Sequence, residues 1–365
     1  MSVVLTVLSL SVLATVLAGL VVLADYKLNN YGVCTIDIND GTKRLEVNGG
    51  SSLLSSLASH RVFIPSACGG KATCGLCKVT LAESAGPVLP TEEPYLSDAE
   101  IEGGVRLACQ LKVKHDLRIM IPEEFFNVKQ YRSRVEEITQ LTHDIKQFRF
   151  RLIEPQTIDF KAGQYVQIDS KPYDQVTEAV SRAYSVSSVP SEKNIIELII
   201  RLVPGGICTT FMHNHVKEGD EITFAGPFGQ FYLHEGGDEL IFIAGGSGLA
   251  PIRSLVLDIL EKKLDKKMKF FFGAVRPRDL YYVEFFRELE EKYDNFTYIP
   301  ALSGATPEDK WDGEEGLITD VVARHVPDAV GRQAYLCGSP GMINACVNVL
   351  TKIGFGKEAI FYDEF

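Results

Sequence analysis

Three changes of texture predict a multidomain α+β protein: an N-terminal helical span, a small sheet domain, an antiparallel barrel and a parallel α/β domain. The first 24 residues hold one apolar run. Residues 133–233 read as short strands broken by glycine and proline, and strands alternate with helices from residue 238 onward. At 365 residues the chain has room for two or three separate cores.

The N-terminal run, residues 2–24 (SVVLTVLSLSVLATVLAGLVVLA), carries no charge and is rich in Leu and Val. As a helix it is long enough to cross a hydrocarbon core about 30 Å thick. A cleaved signal peptide competes with this reading. Against that, no basic residue precedes the run, and it exceeds the roughly 7–15 apolar residues of a signal peptide. The expectation is a retained single-pass transmembrane helix over residues 2–24, with the remainder cytoplasmic. Lys27 is the only nearby base and Asp25 stands close to it, so flanking charge says little about orientation.

Residues 33–122 form the next expected domain. Val33 to Val47 alternates around Asp40-Gly41 and reads as a hairpin; a short helix over 51–59 and a strand over 78–82 follow. This order suits a β-grasp domain. Cys68, Cys74 and Cys77 share the run CGGKATCGLC, and Cys109 stands alone in RLACQ. Glycines between close thiols let the backbone wrap a small inorganic object while the thiolates converge. The C-x5-C-x2-C…C spacing is that of a [2Fe–2S] ferredoxin, with a first gap one residue longer than the plant-type form. Zinc and a disulfide pair are the competing readings. Zinc sites usually take two separated C-x2-C pairs, whereas three of these thiols share one loop. Cys34, Cys208, Cys337 and Cys346 show no paired spacing and read as free thiols in a reducing compartment.

Residues 132–233 read as an antiparallel β-barrel. Within it, Arg182-Ala183-Tyr184-Ser185 is an R-x-Y-S string. An arginine can pair with a flavin pyrophosphate, a tyrosine can lie along the ring system, and a serine beside the ring can reach N5. Gly163-Gln164-Tyr165 precedes this string. Downstream, Gly206, Thr209 and Thr210 would open a helix whose amides and hydroxyls hold a diphosphate. Gly226-Pro227-Phe228-Gly229 reads as a structural turn.

Residues 237–365 read as a Rossmann-like α/β domain. Ala244-Gly245-Gly246-Ser247-Gly248-Leu249-Ala250-Pro251 lies between a strand and a helix, with Pro251 where the dinucleotide fingerprint has its third glycine. Gly245, Gly246 and Gly248 let a pyrophosphate approach the helix N-terminus, and Pro251 suits the first turn. Cys337-Gly338-Ser339-Pro340 sits at a second such switch and could place Cys337 beside a nicotinamide; a buried thiol at a tight turn is the plainer reading. The terminal Tyr362-Asp363-Glu364-Phe365 could stack on a flavin or be a frayed tail. Net charge of −11 and a pI of about 5.2 give no electrostatic case for nucleic acid.

Taken in order, the cysteine loop, RAYS, GGSGLAP and CGSPGM resemble the ferredoxin–NADP⁺ reductase superfamily with a fused N-terminal [2Fe–2S] domain. The apolar N-terminus, LPTE at 89–92, RLACQ and IPEEFF make the chain similar, end to end, to F subunits of Na⁺-translocating NADH:quinone reductases. That resemblance implies FAD, a [2Fe–2S] cluster and NADH as cofactors. It implies an NADH dehydrogenase that relays electrons to other membrane subunits and through them to quinone, with ion transport residing in those subunits. It also gives Phe365 a flavin-shielding role, by the match of Asp363–Phe365 to the family's DDF, and puts Glu364 near the hydride path. The segment 169–181 is shorter than in typical members. A reductase component of a multicomponent oxygenase is the alternative reading, and a tethered adaptor that binds nucleotide without turnover is a third. Arg276 and Arg278 could meet a 2′-phosphate while Asp279 and Glu284 oppose it; NADH follows from the resemblance.

Overall fold

The computed structural model describes residues 10–19, 31–83, 86–177 and 179–364. Residues 10–19 are helical and exposed; the rest of the span expected over 2–24 lies outside the described residues. Among the described residues no helix is long and apolar enough to cross a membrane. The chain divides into two compact units, Met1–Val128 and Lys129–Phe365.

The first unit is built on a five-stranded mixed sheet, order β2-β1-β5-β3-β4. Its strands are β1 (Val33–Ile38), β2 (Lys43–Asn48), β3 (Lys78–Leu81), β4 (Val105–Leu107) and β5 (Leu117–Met120). The expected hairpin is present, turning at Asn39, Asp40 and Gly41, all at positive φ. Along β1 the side chains alternate, so Cys34, Ile36 and Ile38 enter the core. The short helix Leu53–Ser59 starts on Ser52, whose hydroxyl accepts from the Ser55 amide, and buries Leu53 and Leu57 against that sheet.

The second unit holds two sheets. One is antiparallel, order β10-β7-β6-β11-β8-β9. It comprises β6 (Lys129–Gln140), β7 (Ile145–Glu154), β8 (Tyr165–Asp169), β9 (Ser181–Ser185), β10 (Ile195–Arg201) and β11 (Glu221–Phe228). Its two edges meet: just past β9, Val186 bridges Leu198 of β10, and the Ser187 amide donates to the Glu197 carbonyl at 2.8 Å. The sheet thereby curls into the expected barrel, around Phe148, Phe150, Val166, Ile168 and Leu198.

The other sheet is parallel throughout, order β15-β14-β13-β12-β16-β17. Its strands are β12 (Glu239–Gly245), β13 (Lys267–Ala274), β14 (Phe296–Leu302), β15 (Glu314–Glu315), β16 (Arg332–Gly338) and β17 (Ile360–Glu364). Helices Leu249–Glu261 and Val283–Lys292 cover one face, Ile318–His325 and Pro340–Ile353 the other. Burial on both faces explains why Leu240 to Ala244 is apolar without alternation. Strand order reverses between β12 and β16, and the two motif-bearing turns leave the sheet at that switch point.

Candidate functional site

In the first unit a loop after the short helix carries Cys68, Cys74 and Cys77, and Cys109 follows β4. Gly69, Gly70, Ala72 and Gly75 all adopt positive φ, which bends the loop back on itself. The Ser66 hydroxyl accepts from the Gly70 amide at 3.0 Å. A side chain at Gly75 would strike the Tyr95 ring at 2.7 Å. The four thiols come together as two pairs. Cys74 donates to Cys68 at 3.4 Å, which holds the Cys68 thiol down to about 3 and pushes Cys74 up. Cys77 donates to Cys109, lowering Cys109 to about 7 and raising Cys77.

None of the eight cysteines is in a disulfide. Among the described residues no group of three or more His, Cys, Asp or Glu side chains closes on a single ion. Two adjacent thiol pairs fit a two-iron cluster, which takes four thiolates. The donor chemistry and the loop therefore suit a [2Fe–2S] group.

Behind this loop lies a device that sequence reasoning missed, although its residues fall in the LPTE and RLACQ motifs. Glu92 and Arg106 are buried and joined by Nη2–Oε2 at 2.6 Å and Nε–Oε1 at 3.0 Å. The same carboxylate accepts from the Leu89 and Leu107 amides at 3.0 and 2.9 Å. One residue further, the Ala108 amide donates to the Cys77 carbonyl, so the clamp fixes the backbone on both sides of the Cys77–Cys109 pair. Burial pushes the Glu92 carboxyl up, but Arg106 and the two amides outweigh it and hold it below the usual range. The stability this contributes is full above the ordinary carboxylate pKa and is lost as pH falls through the lowered folded value. Glu92→Ala leaves a buried guanidinium without its counterion and is expected to cost about 3–5 kcal/mol. Urea unfolding followed at the cluster absorbance checks this.

In the barrel, Arg182, Tyr184 and Ser185 lie on β9, paired with Ile168, Val166 and Tyr165 of β8. Alternation separates the expected trio: Arg182 and Tyr184 share one face of the strand, and Ser185, buried at the strand end, belongs to the other. The Tyr184 hydroxyl is buried without a hydrogen-bond partner, beside the Cys208 thiol; burial raises the pKa of both groups. Gln167 Nε2, on neighbouring β8, is likewise buried without a partner. By the register with β8, Gln167 lies on the Ser185 face and Tyr184 on the opposite one, and the unmet Gln167 donor beside Ser185 suits a polar ligand on that face. Gly206 does open the helix Ile207–Thr210, and a Cβ there would meet Thr209 Oγ1 at 2.6 Å. That hydroxyl is used inside the turn: it accepts from the Val203 amide at 3.2 Å and donates to the Gly206 carbonyl at 3.3 Å. Thr210 is half-buried in the same turn.

At the switch point of the parallel sheet, Gly246–Gly248 makes one 3₁₀ turn before the helix Leu249–Glu261, with Pro251 buried in its first turn. Gly246 has φ +56°. A Cβ on Gly248 would lie 2.1 Å from the Cys337 carbonyl oxygen, and one on Gly245 or Gly338 would strike Met342 at 2.7 or 2.6 Å. These glycines leave bare backbone amides at a helix N-terminus, which suits a diphosphate. Two residues found only in the structure frame the turn. Tyr281 Oη donates to the Gly246 carbonyl at 2.7 Å, and Arg201, from the end of β10, reaches within 3.5 Å of where a Gly246 Cβ would be.

Cys337 is wholly buried between Ala244 and Asp363, and burial raises its thiol well above the ordinary value. It is a neutral core thiol at the end of β16. Glu364 pairs through its backbone with Gly338; Phe365 lies outside the described residues. After β13, Arg276 pairs with Asp309 at 3.2 Å and Arg278 with Asp279 at 3.8 Å.

Three family models match: a 2Fe-2S iron-sulfur cluster binding domain over 36–114, an oxidoreductase FAD-binding domain over 132–232 and an oxidoreductase NAD-binding domain over 242–348. The F subunit of the Na(+)-translocating NADH-quinone reductase of Histophilus somni is 36% identical over 97% of both chains. That of Klebsiella pneumoniae is 34% identical over 100% of both. The latter alignment runs to 406 positions against 365 residues here, so that relative carries sequence this chain lacks. Among solved structures, the Amycolatopsis cytochrome P450 reductase GcoB matches with a TM-score of 0.73 and 26% identity, covering 91% of this chain and 98% of that one. A ferredoxin reductase of carbazole 1,9a-dioxygenase matches at 0.68 and 26%, covering 92% and 98%.

Proposed function

This chain belongs to the family of Na(+)-translocating NADH-quinone reductase F subunits, and on that premise we propose how its residues divide the work of an NADH:quinone oxidoreductase. Its cofactors are FAD, a [2Fe–2S] cluster and NADH. Together these groups supply hydride acceptance from NADH at the flavin and one-electron relay through the cluster toward partner subunits and quinone.

Cys68, Cys74, Cys77 and Cys109 hold the cluster; the observation that carries this is their assembly into two adjacent pairs, three thiols on a glycine-bent loop and Cys109 just after β4. Arg182 and Tyr184 bind FAD from one face of β9, with Ser185 at the strand end toward N5. Gly206, Thr209 and Thr210 shape the turn at the flavin diphosphate. Gly245, Gly246, Gly248 and Pro251 cradle the NADH diphosphate, with Cys337 and Gly338 packed behind them. Glu364, the last residue of β17, stands near the hydride path, and Phe365 shields the flavin, as the match to the family's terminal DDF implies. We place the three cofactor domains over 33–122, 132–233 and 237–365, a reading that the matched segments 36–114, 132–232 and 242–348 support.

Residues 2–24 anchor the chain in the cytoplasmic membrane, beside the other subunits of the complex. The uncharged sequence supports this, as do Leu10, Val12, Leu13, Val16 and Leu17, each more than half exposed on a helical stretch. The oxygenase-reductase alternative rests on 26% identity, against full-length likeness to F subunits at 34–36%.

Anaerobic stopped-flow mixing of the detergent-solubilised protein with NADH tests the reading. Flavin bleaching is expected first and cluster absorbance change second. NADPH should react more slowly than NADH, since Asp309 engages Arg276 and Asp279 stands beside Arg278, the two arginines that could meet a 2′-phosphate. A cluster that stays oxidised, or a preference for NADPH, overturns it.

A further inference from the structure

Glu197 of β10 is buried, and two arginines clamp its carboxylate. One is Arg149 of β7. The other is Arg253, whose Nη1 lies 2.9 Å from Oε2. Arg253 belongs to the helix that the Gly246–Gly248 turn opens, so this carboxylate joins the barrel to the nucleotide helix. The same Nη1 donates to the Ser187 carbonyl at 2.7 Å, and Ser254 Oγ donates to the Ser188 carbonyl at 2.6 Å. Ser187 and Ser188 continue β9 directly beyond Ser185. The strand bearing the flavin residues is thus tied to the helix behind the NADH turn, close to the functional end of each.

A separate observation lies on the same seam. Tyr282 sits at φ +59°, a strained conformation for a bulky aromatic residue. Its hydroxyl donates to Gln147 of β7, and its ring faces the Arg253 guanidinium at 5.2 Å. Arg253 Nε and Ser187 Oγ are buried without hydrogen-bond partners. Buried charge, backbone strain and unmet donors all cost stability, and well-packed apolar residues would hold two sheets together at least as firmly. What directional bonds add is a fixed register between the sheets. Hydride transfer depends on that register, since a misplacement of about 1 Å can cost on the order of 100-fold in rate.

We propose that Glu197 and Arg253 form a positioning pair for the hydride step, setting the nicotinamide-side helix against the flavin-side strand. This rests on the function proposed above. The test uses the full-length holoprotein and the variants Glu197→Gln and Ser254→Ala, mixed anaerobically with saturating NADH. For E197Q the flavin-reduction rate constant should fall roughly 10- to 100-fold. The long-wavelength charge-transfer absorbance between coenzyme and flavin should weaken, while the NADH concentration for half-maximal rate moves less than about threefold. S254A keeps the charges and should fall about two- to fivefold, with the same spectral change.

If both variants merely melt earlier, with wild-type rate and charge-transfer absorbance at low temperature, the pair is structural and the proposal is overturned. Should E197Q fail to fold, S254A decides alone by the same two readouts. Wild-type protein that NADH does not reduce would instead overturn the parent reading.

Discussion

Cys74→Ser is expected to abolish the EPR signal of the reduced cluster while NADH oxidation with ferricyanide persists. The thiol of Cys74 sits 3.4 Å from that of Cys68, and the pair forms half of the donor set. A serine hydroxyl is a harder, much less acidic ligand than a thiol, so one iron loses a soft donor that the loop cannot replace. The remaining cysteines, Cys34, Cys208, Cys337 and Cys346, are buried elsewhere in the fold. Loss should be selective because the flavin and NADH residues belong to a separate compact unit with its own cores. Visible absorbance should keep the flavin bands and lose the cluster's contribution beneath them. A variant with a wild-type EPR spectrum would remove Cys74 from the ligand set.

The parts of this molecule that were legible in its sequence are those whose signal is local. Cys68, Cys74 and Cys77 share ten residues, and the GGSGLAP turn is a contiguous string between a strand and a helix. Strand alternation around Asp40-Gly41 marked a hairpin because period and turn chemistry agree there. What escaped notice depends on pairing across the chain. Glu92 meets Arg106 across 14 positions and Glu197 meets Arg253 across 56, and a carboxylate or guanidinium in isolation carries no mark of its partner. RAYS was legible as a string, but which side chains share a face depends on its register with β8. Thr209 looked free to bind a phosphate; only the fold shows its hydroxyl turned back into its own loop. Cys337 likewise stands at the sheet edge in sequence, and three-dimensional packing encloses it.

Gly248→Ala should be the most damaging single-methyl change in the nucleotide half. An added Cβ would lie 2.1 Å from the Cys337 carbonyl oxygen, 2.4 Å from its carbon and 2.8 Å from the Gly338 nitrogen. Every one of those atoms is backbone, so no rotamer relieves the clash. The turn must instead move away from the end of β16, which the Ala244–Cys337 pairing of β12 and β16 resists. Gly245→Ala is the informative contrast, because its nearest obstacle is the Met342 sulfur at 2.7 Å, on a side chain with three rotatable bonds. NADH-driven flavin reduction should therefore fall at least about 100-fold in G248A and less than about tenfold in G245A. Dithionite should still give a wild-type cluster EPR signal in both, since the first unit is untouched. Equal damage from the two substitutions would mean that any side chain obstructs the coenzyme there. No damage from G248A would show that the close approach of the two turns is dispensable. Only graded loss ties coenzyme binding to the backbone contact itself, and hence to the switch point between β12 and β16 where the sheet brings those turns together.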